Sequence, residues 1–294
     1  MKEPLFKNTA TALYTPFTDG KINFDAFFDL VETQISAGIS ALVFLGTTGE
    51  SPTITETERE EIIRFAVETV KKRVPVIVGC GSNCTEKAVE LAKKAKSAGA
   101  DAALVVTPYY NKCNERGLIA HYERISEEGG LPVILYNVPK RTGVNLTPEV
   151  AEKLAKIKNV VGLKEADDDK KHYISSMEKL EGKIAVYCGS DGEVFDFLEA
   201  GASGSVSVAS NVIPAKFSEI FFNFKNYSET EKKRFRLLFD ALFCDVNPIP
   251  LKTFVRLSGK EGYELRLPLC DTDAKKKEYI SEVLYKLKEW GHIC

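Results

Sequence analysis

Lys164 is the residue with the most obvious reactive potential in this 294-residue chain, because it lies inside an apolar run, VVGLKEA. Burial strips water from an ammonium and favours the neutral amine, the form that attacks a ketone. A lysine at the edge of such a run could equally snorkel to solvent, and the run alone does not decide between the two. Three further segments mix apolar residues with groups able to bind or move protons. GTTGES, Gly46–Ser51, has two glycines that let the backbone turn sharply. Its N–H groups, with the Thr47 and Thr48 hydroxyls, could hold a carboxylate. ILYNVPKRTG carries Tyr136, whose phenol could shuttle protons, and then Arg141, suited to a bidentate grip on a carboxylate. VTPYYN places Tyr109 and Tyr110 side by side, a pair that packing or an interface would also explain.

These four segments have a common setting. Short apolar runs recur at Ala10–Pro16, Ala41–Gly46, Pro75–Gly81, Ala102–Pro108, Pro132–Pro139, Val160–Ala166, Ala185–Ser190 and Ser203–Ser210. Each reads as a parallel strand buried on both faces. Segments of helical period lie between them. FDAFFDLVETQISAG has Asn23 as its cap, TEKAVELAKKAKSAGA has Thr85, and TPEVAEKLAKI has Thr147 followed by Pro148. Gly38, Gly99 and Gly201 close "AG" endings that suit left-handed caps.

Eight strands alternating with helices predict an α/β fold, a closed (β/α)8 TIM barrel, with an open doubly wound sheet as the competing arrangement. In a barrel, chemistry gathers where strands end and loops begin, and all four segments lie at such ends. Beyond Ser210 the pattern is helical: Pro214 to about Asn226, Ser228–Cys244, Pro250–Ser258 and Asp273–Trp290. The expected division is a catalytic barrel over 1–226 and a C-terminal helical extension over 227–294.

Composition narrows the function further. A formal charge of -2 gives no general attraction to nucleic acid or an anionic membrane. No segment is long and apolar enough to span a bilayer, and the N-terminal residues lack the apolar core of a signal peptide. Seven cysteines without a secretion signal point to reduced thiols and a cytoplasmic setting. His121, His172 and His292 lie far apart, so no metal site held by the protein is expected. GSVSVASN, in the eighth run, lacks the clustered glycines of a phosphate-binding turn.

GTTGES, VTPYYN, ILYNVPxRTG, GLKEA and NPIPLK occur together, in order, and in this respect the chain resembles the dihydrodipicolinate synthase family of pyruvate-dependent class I lyases and aldolases. The resemblance covers nearly the whole chain from Ala10 onward. It implies that Lys164 forms a Schiff base with pyruvate and that Tyr136 donates and accepts protons, with Thr47 and Tyr110 as its relay. It places Thr48 on the pyruvate carboxylate, Val206 beside it through its backbone, and Gly189 in the same pocket. Arg141 is implied to receive the carboxylate of L-aspartate 4-semialdehyde, the second substrate on the diaminopimelate route to lysine. No added cofactor is implied.

The relay tyrosine comes from a neighbouring subunit in this family, so the resemblance also implies a homodimer or homotetramer. Sister activities, such as N-acetylneuraminate lyase and related sugar-acid aldolases, share the lysine and tyrosine. Their polyhydroxylated substrates do not need Arg141, and they usually carry Ser-Thr where this chain has Thr47-Thr48. Lysine-inhibited members hold the effector's ammonium with a carboxylate early in the third helix, where this chain has Lys87. Glu56 and Arg59 stand where those members have histidines.

Overall fold

The computed structural model describes residues 2–291, and its eight parallel strands close into one barrel. They are β1 (Asn8–Ala12), β2 (Ala41–Phe44), β3 (Val76–Gly79), β4 (Ala102–Val106), β5 (Val133–Asn137), β6 (Val160–Glu165), β7 (Ala185–Cys188) and β8 (Gly204–Ser207). Closure is made by β1, which pairs Ala10 with Val206 on one side and with Ala41 on the other. The open-sheet alternative is thereby excluded.

Eight helices follow the strands: α1 (Phe24–Ser36), α2 (Glu56–Val70), α3 (Thr85–Ser97), α4 (Glu115–Gly129), α5 (Pro148–Leu154), α6 (Lys170–Leu180), α7 (Val194–Glu199) and α8 (Pro214–Asn223). Asn23 caps α1 by accepting from the Ala26 N–H, and Thr147 caps α5 by accepting from Val150. Thr85 does not cap α3. Cys84 stands at that position, and the Thr85 hydroxyl instead lies 2.9 Å from His121 Nδ1 on α4. A local preference for capping has yielded here to a tertiary partner.

Two apolar clusters explain the strand pattern. One fills the barrel interior and contains Phe6, Ala10, Ala12, Ala41, Ile77, Ala102, Ile134, Tyr136, Tyr187 and Val206. The other lies between the strands and the helices, with Leu42, Val105, Leu135 and Leu163 among its members. Successive strand residues feed opposite clusters, so neither face is free to be polar. Inside, small alanines leave room for the large side chains; Phe6 stacks on Tyr187 with ring centroids 4.2 Å apart.

β1 starts two residues earlier than its apolar run. Asn8, Thr9 and Thr11 are polar yet buried, and each has a partner: Ser218 at 2.9 Å, Ser205 at 3.3 Å and Gln34 at 2.6 Å. Buried polar groups that are hydrogen-bonded break the hydropathy signal without breaking the core.

Three further helices extend the barrel: α9 (Glu229–Leu242), α10 (Ile249–Leu257) and α11 (Ala274–Glu289). Ser228 and Glu231 form a reciprocal capping box at the start of α9. Phe239 of α9 meets Phe217 of α8 edge-on at 5.9 Å, which seats the extension on the barrel wall. No described helix is long and apolar enough to cross a membrane.

Candidate active site

Tyr136 and Lys164 are paired neighbours on β5 and β6, near the carboxyl ends of both strands. Both side chains are buried, and Lys164 Nζ lies 4.3 Å from the centre of the Tyr136 ring. The snorkelling alternative for Lys164 therefore does not hold: its side chain is only 6% exposed. The next strand, β7, runs into Gly189, which has no room for a side chain. A Cβ there would lie 2.9 Å from Lys164 Cε, from Ala166 Cβ and from the Glu165 carbonyl. Gly189 is what lets the loop after β7 close against the lysine. Val206 completes the buried wall from β8.

Asn137 and Glu165, the residues after Tyr136 and Lys164, also pair across the strands and are fully buried. The Asn137 amide donates to the two Glu165 oxygens at 2.9 and 3.1 Å, and the Asp167 N–H donates to Glu165 at 2.8 Å. His172 of α6 lies 3.5 Å from Glu165, whose carboxylate raises the imidazole above its ordinary pKa.

After β2 the GTTGES loop folds into tight turns. Gly49 and Ser51 donate to the Gly46 carbonyl and Glu50 to that of Thr47. These turns use the amides of Gly49, Glu50 and Ser51. Among the described residues nothing accepts from the Thr47 and Thr48 N–H groups, which leaves them for a ligand.

Glu50 sits in left-handed backbone at φ +53°, fully buried, and pairs with Lys252 of α10 at 2.5 Å. Its other oxygen accepts from the Arg266 N–H at 3.1 Å. Burial pulls the Lys252 ammonium down to about 8, with Glu50 opposing the shift. The helical extension thus anchors the threonine loop through a buried charge pair.

A cleft of about 470 Å3 opens above these elements, lined among others by Thr47, Arg59, Tyr109, Tyr136, Arg141 and Asn247. Lys164, Thr48, Gly189 and Val206 are not in its lining; Lys164 adjoins Tyr136, which is. Arg141 lies on a single helical turn, Pro139–Thr142, rather than in an open loop, and its Nη2 donates to the Asn247 carbonyl at 3.3 Å. Asn247 in turn donates through Nδ2 to Thr48 Oγ1 at 3.0 Å. Tyr110 stands apart. It is 92% exposed at φ +69° and does not line the cleft of its own chain.

Six residues around the site carry no signal of their role in the sequence: Glu50, Lys252, Asn247, Asn137, Glu165 and Asp191. The first three lie within GTTGES and NPIPLK, so the segments were visible but the contacts between them were not. Asp191, buried just after β7, accepts from the Val208 and Ala209 N–H groups at 3.0 and 2.7 Å. It pins the end of β8, and burial raises its carboxyl above the ordinary range. His121 bonds Thr85 and His172 faces Glu165, while His292 lies outside the described residues. Among the described residues no cluster of three or more His, Cys, Asp or Glu could hold a metal ion.

A 4-hydroxy-tetrahydrodipicolinate synthase from Alkaliphilus oremlandii is 42% identical over 286 residues, 96% of this chain and 99% of that one. The crystal structure of a dihydrodipicolinate synthase from Thermotoga maritima superposes with a TM-score of 0.93 at 41% identity, covering 98% of this chain and all of the other. The chloride-inhibited dihydrodipicolinate synthase from Acinetobacter baumannii, solved in complex with pyruvate, gives 0.90 at 38% identity over 98% and 99% of the two chains. Residues 5–287 match the dihydrodipicolinate synthetase family along almost the entire barrel and its extension, and the chain belongs to that family.

Proposed function

We propose that the chain is a lyase that condenses pyruvate with L-aspartate 4-semialdehyde, a 4-hydroxy-tetrahydrodipicolinate synthase acting through a Schiff base on Lys164. The observation that carries this reading is the buried Lys164–Tyr136 pair below a cleft edged by Arg141. The Lys164 amine attacks the pyruvate ketone, and Tyr136 passes the protons needed to expel water and leave an iminium. That cation accepts the electrons released when the pyruvate methyl group loses a proton, which gives an enamine. The enamine carbon attacks the aldehyde of the second substrate. The substrate's own amine then displaces Lys164 as the ring closes, so the enzyme is regenerated without an added cofactor.

In this scheme Thr48 and the backbone at Val206 hold pyruvate, Gly189 lines the same pocket, and Arg141 takes the carboxylate of the semialdehyde. Thr47 and Tyr110 relay protons for Tyr136. The near-complete exposure of Tyr110 supports a relay completed across a subunit boundary, and we assign the protein to a homodimer or homotetramer. The barrel over 1–226 carries the chemistry and 227–294 braces it; the compartment is the cytoplasm.

Borohydride reduction in the presence of pyruvate should fix the added mass at Lys164, and Lys164→Ala should abolish it. Wild-type protein should consume pyruvate only when aspartate semialdehyde is added, with N-acetylneuraminate as the inert control. An adduct that persists in the mutant would overturn the assignment.

A further inference from the structure

Asn247 joins two groups that the proposed function places on the two substrates. Its side-chain amide donates to Thr48 Oγ1 at 3.0 Å, and its main-chain carbonyl accepts from Arg141 at 3.3 Å. It is 7% exposed, and its own Oδ1 is buried with no partner.

A threonine hydroxyl has one proton to give and two lone pairs to accept with. An N–H donor on one lone pair cannot take the hydroxyl proton. Asn247 Oδ1 does not take it either, since that atom is unpartnered. The Thr48 proton is therefore free to point at a ligand. A carboxylate only accepts hydrogen bonds, so a hydroxyl held in this sense suits it, and a hydroxyl held in the opposite sense repels it.

We propose that Asn247 is a positioning residue that fixes the polarity of the Thr48 hydroxyl and thereby sets the affinity for the pyruvate carboxylate. The inference rests on the proposed role of Thr48. Asn247 acts on Arg141 only through the main chain, so changes to its side chain separate the two substrates.

The test measures the pyruvate concentration that gives half-maximal borohydride trapping at Lys164, with no second substrate present. Asn247→Asp keeps the shape but offers only acceptors, so it captures the Thr48 proton and turns lone pairs toward pyruvate. That half-saturation point should rise roughly tenfold to a hundredfold, the range expected for a hydrogen bond to a charged group. Asn247→Leu merely frees the hydroxyl and should give a smaller rise. It should also leave the KM for aspartate semialdehyde near the wild-type value, because the carbonyl on Arg141 remains.

In a Thr48→Val background neither substitution should shift pyruvate binding further, which is the double-mutant signature of action through Thr48. If the buried aspartate prevents folding, Asn247→Leu with and without Thr48→Val carries the test. An unchanged or lowered half-saturation point in Asn247→Asp would mean that Thr48 donates to Asn247, and would overturn the proposal. A full effect in the Thr48→Val background would overturn it as well. Absence of any adduct in the wild-type protein would instead count against the proposed function.

Discussion

Replacing Lys252 by methionine removes one half of a charge pair that has almost no contact with water. Its side chain is 1% exposed and that of Glu50 is 0% exposed. The remaining carboxylate would keep the Arg266 N–H at 3.1 Å but lose its counter-charge. Stranding one buried charge in this way costs about 3–5 kcal/mol. A 294-residue chain gains about 0.6 kcal/mol per kelvin of unfolding entropy near its midpoint, so Tm should fall by about 5–8 °C. Calorimetry or thermal circular dichroism reads this directly. The double variant Glu50→Gln/Lys252→Met removes both charges while the glutamine oxygen can still accept from Arg266, and it should recover most of the loss. Because Glu50 belongs to the loop of Thr47 and Thr48, Lys252→Met should also weaken pyruvate trapping, and the double variant should restore part of it. A single variant within about 1 kcal/mol of wild type, or a double variant no better than the single, would refute the reasoning.

Arg141→Ala should raise the KM for aspartate semialdehyde roughly tenfold to a hundredfold while that for pyruvate changes little; equal effects would remove Arg141 from the second substrate. Mixing Lys164→Ala with Tyr110→Phe protein under subunit exchange should recover activity, since a mixed dimer regains one intact site. No recovery despite demonstrated exchange would place Tyr110 outside a neighbour's site. Millimolar L-lysine should leave initial rates nearly unchanged: Lys87 pairs with Glu56 and, at 3.3 Å, with Glu90, and Glu86 is held by Arg124. Saturable inhibition would contradict this.

Burial lowers the His121 imidazole to about 4, against about 6.5 in the unfolded chain. The unfolded state then binds the extra proton between those values. Stability present above pH ~6.5 is therefore lost as pH falls toward 4, by on the order of 3 kcal/mol. Asn at position 121 keeps a partner for Thr85 without titrating, and denaturant melts should show a flatter pH profile for it.

Much of the barrel was legible because its strands are buried on both faces and so read as unbroken apolar runs. Their ends were less so. Leu45 and Val138 stay buried after the strands stop, so the runs overshoot. Asn8, Thr9 and Thr11 hide a strand start behind paired polar groups. Lys164, Tyr136 and Arg141 stood out as chemical anomalies in their local context. The Thr48–Asn247 contact spans 199 residues, and the Glu50–Lys252 pair bridges the same two distant segments. No local pattern marks such pairs, because the fold alone brings them together. Lys252 in particular reads as an ordinary charge on an amphipathic helix until α10 is seated.

The Asn137–Glu165 pairing has a consequence for how this protein can change over generations. It lies one step along the strands from Tyr136–Lys164, facing the helices rather than the interior, so on the proposed mechanism a single pair of strands carries chemistry on one side and its own lock on the other. Slippage between β5 and β6 by one residue would exchange the two sides completely, which makes intermediate geometries inaccessible. The segment just after Arg141 is tied to that lock, because Asn137 donates to Asn145 at 2.7 Å and accepts from the Leu146 N–H at 3.0 Å, whereas among the described residues the loop that carries Tyr110 makes no bond to it. On the proposed mechanism, variation is therefore freest in the loop of Tyr110, while the strand pair that would serve pyruvate is inherited unaltered.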